Sequence, residues 1–198
     1  MLIQPVVIAA VILVSLAAII ILVSSDWRYC IAALAVQYIG VFLLIYASWP
    51  LELAVTKMVA GWMAGAILGM AMASLPADHQ ETQGLIKFGL FFRISAAAIL
   101  TLAIISLINH SQSWLSMIGL PIRWGSFMLI GIGLLQLSLT SHPLRVIIGL
   151  LTVLSGFEII YAAIETSTLV TGLLAGVNIG LALVGAYLLI APTMEAAP

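Results

Sequence analysis

Apolar runs and short polar breaks alternate along the whole chain. A helix needs about 20 apolar residues to cross ~30 Å of hydrocarbon at 1.5 Å per residue. That ruler marks seven segments: Pro5 to Ser24, Tyr29 to Ser48, Leu51 to Leu75, Phe88 to Ile108, Trp124 to Thr140, Leu144 to Ile164 and Thr168 to Ile190. The second and third are joined by little more than Trp49-Pro50, which predicts a tight helical hairpin. The first segment lacks a positive leader and is followed at once by another span, so it is expected to be an uncleaved first helix. The predicted fold class is all-α: a polytopic membrane helical bundle of about seven transmembrane helices forming a single membrane domain over residues 1–198.

Composition removes the other classes. Of 198 residues, 64% are hydrophobic and 7% charged, and the mean hydropathy is +1.30. A soluble domain carries roughly 25% charged residues, so a cytosolic enzyme, a disordered chain and a secreted disulfide scaffold are excluded. The net charge of −1 and the lack of a basic patch exclude nucleic acid as a partner. Cys30 is the only cysteine, and His79, His110 and His142 fall in polar connections, so no disulfide framework or metal constellation is expected.

The few basic residues orient the bundle. Arg28, Lys87, Arg93 and Arg145 fall on one side and Arg123 on the other. By the positive-inside rule the first group is cytoplasmic, with the N-terminus outside and the C-terminus inside an inner (cytoplasmic) membrane. Residues 76–87 then make the main cytoplasmic loop, and residues 109–123, with Trp114 and Met117 lying in the interface, the main outer one. Neither holds a soluble domain, so redox or ATP-driven chemistry must sit on another chain.

Shifting the sequence by 115 residues aligns residues 45–71 with 160–186, with ten identities in 27 positions, among them Tyr46/Tyr161, Gly61/Gly176 and Gly65/Gly180. This is either a duplication or shared membrane-helix composition. As a duplication, residues 1–75 are a first three-helix repeat, 76–122 hold a linking loop, the fourth helix and the outer loop, and 123–191 are the second unit. An offset of four spans makes the repeat parallel rather than inverted. Both copies carry glycines four apart: Gly61, Gly65, Gly69 and Gly172, Gly176, Gly180. Such faces predict that the third and seventh spans are buried among helices, in this chain or in a partner.

Ionisable groups inside hydrocarbon cost several kcal/mol and need a partner, water or a role. Glu158 lies seven residues before Glu165, about 10 Å below the outer boundary, on a stripe with Ser155 and Tyr161 or Ala162. Such a carboxyl can exchange a proton when hydrated or paired. Lys57 lies about 9 Å deep from the same side. Three readings of Lys57 stand: it snorkels to the headgroups, it forms a fixed structural pair with Glu158, or the two form a proton relay. Asn178, Gln37 and Gln136 are amides within spans, suited to hydrogen bonds between helices. Arg93 is expected to snorkel, and Trp62 to lie in the core.

The last three spans resemble a known family. Arg145 precedes the second of them, Gly156-Phe157-Glu158 sits within it, and Ile179-Gly180-Leu181-Ala182-Leu183 lies in the third. These features resemble the three-helix membrane subunit K of respiratory complex I and the C subunit of Mrp-type antiporters. Tyr29, Gln37 and Lys57, with the length of the chain, extend the resemblance to the E-type membrane component of hydrogenase-4-type complexes.

The resemblance implies a cofactor-free subunit, not catalytic alone, in the membrane arm of a complex-I-like or group 4 hydrogenase-like complex. Its partners would be antiporter-like and other membrane subunits and the lipid bilayer. Proton transfer or energy coupling would run through Glu158, helped by Lys57, with Asn178, Gln37, Tyr161 and Ser155 as supporting polar residues. Where the family carries a third-helix carboxylate this chain has Asn178, and an amide cannot carry a proton as a carboxylate does. Two other readings remain: a scaffold subunit without ion conduction, and a stand-alone small-solute transporter.

Overall fold

The computed structural model describes residues 3–76, 89–110 and 117–195. The expectations for His79, Lys87 and Trp114, and for most of the two longer loops, lie outside these residues. Seven helices follow in order: α1 (Ile3–Val23), α2 (Trp27–Tyr46), α3 (Leu51–Ala73), α4 (Leu90–His110), α5 (Leu120–Leu139), α6 (Pro143–Ile164) and α7 (Thr168–Glu195). All seven are long and apolar enough to cross a membrane, so the chain is a multi-pass membrane protein.

Local chemistry starts the helices where the apolar runs begin. Asp26 caps α2 by accepting from the Arg28 N–H at 2.9 Å. Proline stands in the first turn of α5 and α6 and at the cap of α3, where its missing N–H costs no helical bond. Each helix shows one face to the bundle and one outward. The outward faces carry large apolar residues such as Ile12, Leu16, Phe91, Ile99, Leu173 and Val184. In water these would be a liability; against lipid tails they are the expected exterior.

The chain runs up and down, so one end of the bundle holds Tyr46, Leu51, Ile164 and Thr168 (the Glu165 end), and the other holds Val23, Trp27, Leu139 and Pro143 (the Arg145 end). Successive helices α1–α2–α3 pack together, as do α5–α6–α7. Across the middle, α1 packs on α5, α2 on α6 and α3 on α7. Each helix of the first three thus meets the helix four spans later, the counterpart that the 115-residue repeat assigns to it. α4 stands at the side, against α5 and, more lightly, α1.

The glycines that allow close packing are not those of the sequence stripes. A Cβ on Gly133 would lie 2.7 Å from Val153 Cγ2 and 2.9 Å from its backbone nitrogen, and one on Gly156 would lie 2.7 Å from the Ser126 carbonyl. These bring the α5 and α6 backbones together. Of the six striped glycines only Gly61 is tightly covered, by the Tyr38 ring, and Gly69 makes ordinary contact with Ile31. Space is open beside Gly65, Gly172, Gly176 and Gly180. Within this chain the two glycine faces are therefore not the close contacts: α3 and α7 meet along a seam that includes Gly185, set against Leu68.

Candidate functional site

The α3 face that carries Ala54, Lys57, Gly61 and Ala64 is buried, because these positions recur every three to four residues. The same spacing on α6 buries Thr152, Ser155, Glu158, Ile159 and Ala162. Lys57 lies six residues into α3 and Glu158 six residues before the end of α6, counting from the same end of the bundle. The two side chains meet at that depth.

Lys57 Nζ donates to Glu158 Oε1 at 2.5 Å, and both side chains are 1% exposed. The snorkelling alternative for Lys57 is thereby set aside: its ammonium points into the bundle, not to the headgroups. Burial strips both charges of water, and their mutual attraction offsets that penalty only with further hydrogen bonds. Asn178, on α7, supplies one. Its Nδ2 donates to the same Glu158 Oε1 at 3.1 Å, and its Oδ1 accepts from the Tyr38 hydroxyl at 3.2 Å. Four helices, α2, α3, α6 and α7, therefore converge on one carboxylate. Tyr38, Lys57, Ser155, Glu158 and Asn178 are all essentially without exposure.

The carboxylate is used unevenly. Both donors go to Oε1, while Oε2 is buried with no partner. A buried acceptor left empty is costly, and in a carboxylate it is also the position where a proton adds. Ser155 lies one turn along α6 and donates to the Leu151 carbonyl at 2.8 Å. One turn further, Thr152 accepts from Gln37 Nε2 at 3.4 Å and donates to the Ile148 carbonyl at 2.8 Å. Gln37 Oε1 is buried and unpartnered.

The structure thus brings Lys57, Glu158 and Asn178 into one network, with Ser155 and Gln37 on the seam beyond it. Tyr161 is elsewhere. It turns towards the Glu165 end, edge-on to Trp49 at 6.1 Å and stacked on Phe157 at 6.4 Å. Tyr38 was missed by sequence reasoning. Its signal was Gly61, whose lack of a side chain makes room for the tyrosine ring.

Two other expectations change. Trp62 is 44% exposed and donates to the Ala35 carbonyl at 3.1 Å, because its side of α3 faces out of the bundle. Arg93 does not snorkel: it is 2% exposed and donates to the Leu22 carbonyl at 2.5 Å. Arg145 makes the same kind of bond to the Ser24 carbonyl. The two guanidiniums sit at the carbonyl end of α1, where the helix dipole favours positive charge.

Among the described residues no group of three His, Cys, Asp or Glu is placed to hold a metal ion. Compared with protein-family models, with curated proteins and with solved structures, the chain matches none.

Proposed function

We propose that this protein is a cofactor-free membrane-arm subunit of a complex-I-like or group 4 hydrogenase-like complex in the cytoplasmic membrane, and that Lys57 and Glu158 move a proton within it. The observation that carries this reading is the fully buried Lys57–Glu158 pair, held at 2.5 Å inside a seven-helix bundle. Ionisable groups at such depth are expensive and mark ion or proton pathways. The features that resemble subunit K and the E-type component of hydrogenase-4 align Glu158 with the family's embedded glutamate. Asn178, standing where that family has a second carboxylate, instead donates to Glu158. The relay would then pair a carboxylate with the Lys57 ammonium rather than with another carboxylate.

A scaffold role is the second reading. It is favoured by the same network seen as a fastening, since Glu158 ties α6 to α3 and α7. Two experiments separate the readings. Purification in gentle detergent should recover antiporter-like and hydrogenase- or dehydrogenase-like subunits at fixed stoichiometry; a monodisperse protein alone would overturn the subunit reading. Glu158→Gln should then abolish ion transport by the complex and leave its composition unchanged. Unchanged transport would remove the relay role, and lost assembly would establish the scaffold.

A further inference from the structure

Asn178 can present either side of its amide to Glu158. The nitrogen side donates and suits a carboxylate; the oxygen side accepts and suits a protonated carboxyl. The structure has the nitrogen side there, 3.1 Å from Oε1. The other end of the amide fixes this choice, because the Tyr38 hydroxyl donates to Oδ1 at 3.2 Å. Turning the amide over would set Oδ1 against Oε1, two acceptors facing each other, and would take from the Tyr38 hydroxyl its acceptor. Donation by the tyrosine also polarises the amide, which makes Nδ2 a stronger donor to the carboxylate.

The arm from Tyr38 to Asn178 joins helices that otherwise stand apart. Tyr38 is on α2 and Asn178 on α7, and these two share no packed seam. The tyrosine ring reaches across because Gly61 of α3 has no side chain: a Cβ there would lie 2.2 Å from it. Both Tyr38 and Asn178 are buried, so the two bonds form away from bulk water.

Glu158 depends on this arm more than a surface carboxylate would. Its Oε2 is buried without a partner, and its Oε1 accepts from Lys57 and Asn178. A buried charge held by two donors loses much of its support with one of them. The Lys57 ammonium, 2.5 Å away, offers the way out. Its Nζ–H bond breaks, an Oε1–H bond forms, and two charged groups become two neutral ones. A proton from elsewhere would add at the empty Oε2. Transfer from Lys57 needs neither water nor a path, since its donor and acceptor are already in contact.

Resting on the proton-transfer reading above, we propose that Tyr38 is a positioning residue for the Lys57–Glu158 pair: by fixing Asn178 with its N–H towards Oε1, it keeps the shared proton on Lys57 and Glu158 ionised. A displacement of α2 against α7 breaks the arm, releases the amide and lets the proton cross to Glu158. It requires no movement of α3 or α6, which carry the pair.

The test is infrared spectroscopy of the full-length protein in an ester-free detergent, with any co-purifying subunits retained. The Glu158 bands are those lost in Glu158→Gln. The wild type is expected to show Glu158 ionised at neutral pH. At the lower pH where its protonated band first appears, Tyr38→Phe should lower the ratio of ionised to protonated Glu158 at least tenfold. That variant keeps the ring over Gly61 and loses only the hydroxyl. Asn178→Leu should have the same effect, and adding Tyr38→Phe to it should lower the ratio no further, because the hydroxyl acts through the amide. Asn178→Ala serves as the second background if Asn178→Leu does not fold. A packing defect at Tyr38 would instead act equally in both backgrounds. That equal loss, an unchanged ratio in Tyr38→Phe, or a wild-type Glu158 already protonated at neutral pH would each overturn the positioning role. The role and the carrier reading fail separately: the first on these bands, the second on ion transport that survives Glu158→Gln.

Discussion

Gln37 and Thr152 meet across the α2–α6 seam, and the 115 residues between them equal the offset that aligns residues 45–71 with 160–186. Both helices run in the same direction through the bundle, and two positions that this offset pairs touch each other there. The Lys57–Glu158 pair does not repeat under that offset. The positions equivalent to Lys57 and Glu158 are Gly172 and Leu43, neither of which carries charge. The charged pair therefore takes one residue from each half, and the pairing that the offset would repeat, Gly172 with Leu43, is uncharged.

Removing one member of the pair should be worse than removing both. Lys57→Met leaves a buried carboxylate without its cation and is expected to cost about 3–5 kcal/mol. Lys57→Met combined with Glu158→Leu should regain most of that loss, since an apolar pair of similar volume is often neutral there. Thermal unfolding in detergent, followed by tryptophan fluorescence, reads the difference. Additive losses would show that the two side chains do not depend on one another.

Two glycines of the α3 stripe should respond in opposite ways. A Cβ at Gly61 would sit 2.2 Å from the Tyr38 ring, so Gly61→Val forces the ring aside at a cost of about 1–3 kcal/mol. Gly65 has nothing within 4 Å of a Cβ, so Gly65→Ala should be neutral or stabilising by up to ~1 kcal/mol, the helix preference for alanine. Equal effects of the two substitutions would contradict the packing of α2 on α3.

Trp49 latches the α2–α3 turn to the end of α6 through its bond to the Glu165 carbonyl. Trp49→Phe keeps an apolar ring and loses the N–H, which should cost about 1 kcal/mol. The melting temperature should fall by roughly 2–4 °C, with α-helical content by circular dichroism unchanged. No shift would mean that water replaces the indole at that carbonyl without loss.

Arg93 and Arg145 donate to the Leu22 and Ser24 carbonyls, at the end of α1. Arg93→Met keeps the length of the side chain and removes the charged donor, an effect of about 1.5–3 kcal/mol for a bond to a charged group. Backbone hydrogen exchange read by mass spectrometry should rise in residues 18–25 and stay unchanged around Glu158. Uniform loosening of all seven helices would indicate a global role for Arg93 instead.

Class, number of spans and the depth of each polar residue were legible in the chain alone. Twenty apolar residues admit one solution in lipid, because every backbone N–H and C=O must be satisfied inside its own helix. Counting at 1.5 Å per residue then put Lys57 and Glu158 at matching depths. Which helices stand next to one another is a different kind of fact. Lateral neighbours follow from the fit of side chains between helices, and that fit is not periodic in the chain. Sequence reasoning therefore left Lys57 between the headgroups and Glu158, put Trp62 inside and Arg93 outside, and left open whether the striped glycines meet this chain or a partner. Helix packing resolved each of these: Gly133 and Gly156 bring α5 against α6, and Gly61 admits the Tyr38 ring. With α2, α3 and α7 gathered around α6, Asn178 and Lys57 share a single oxygen of Glu158.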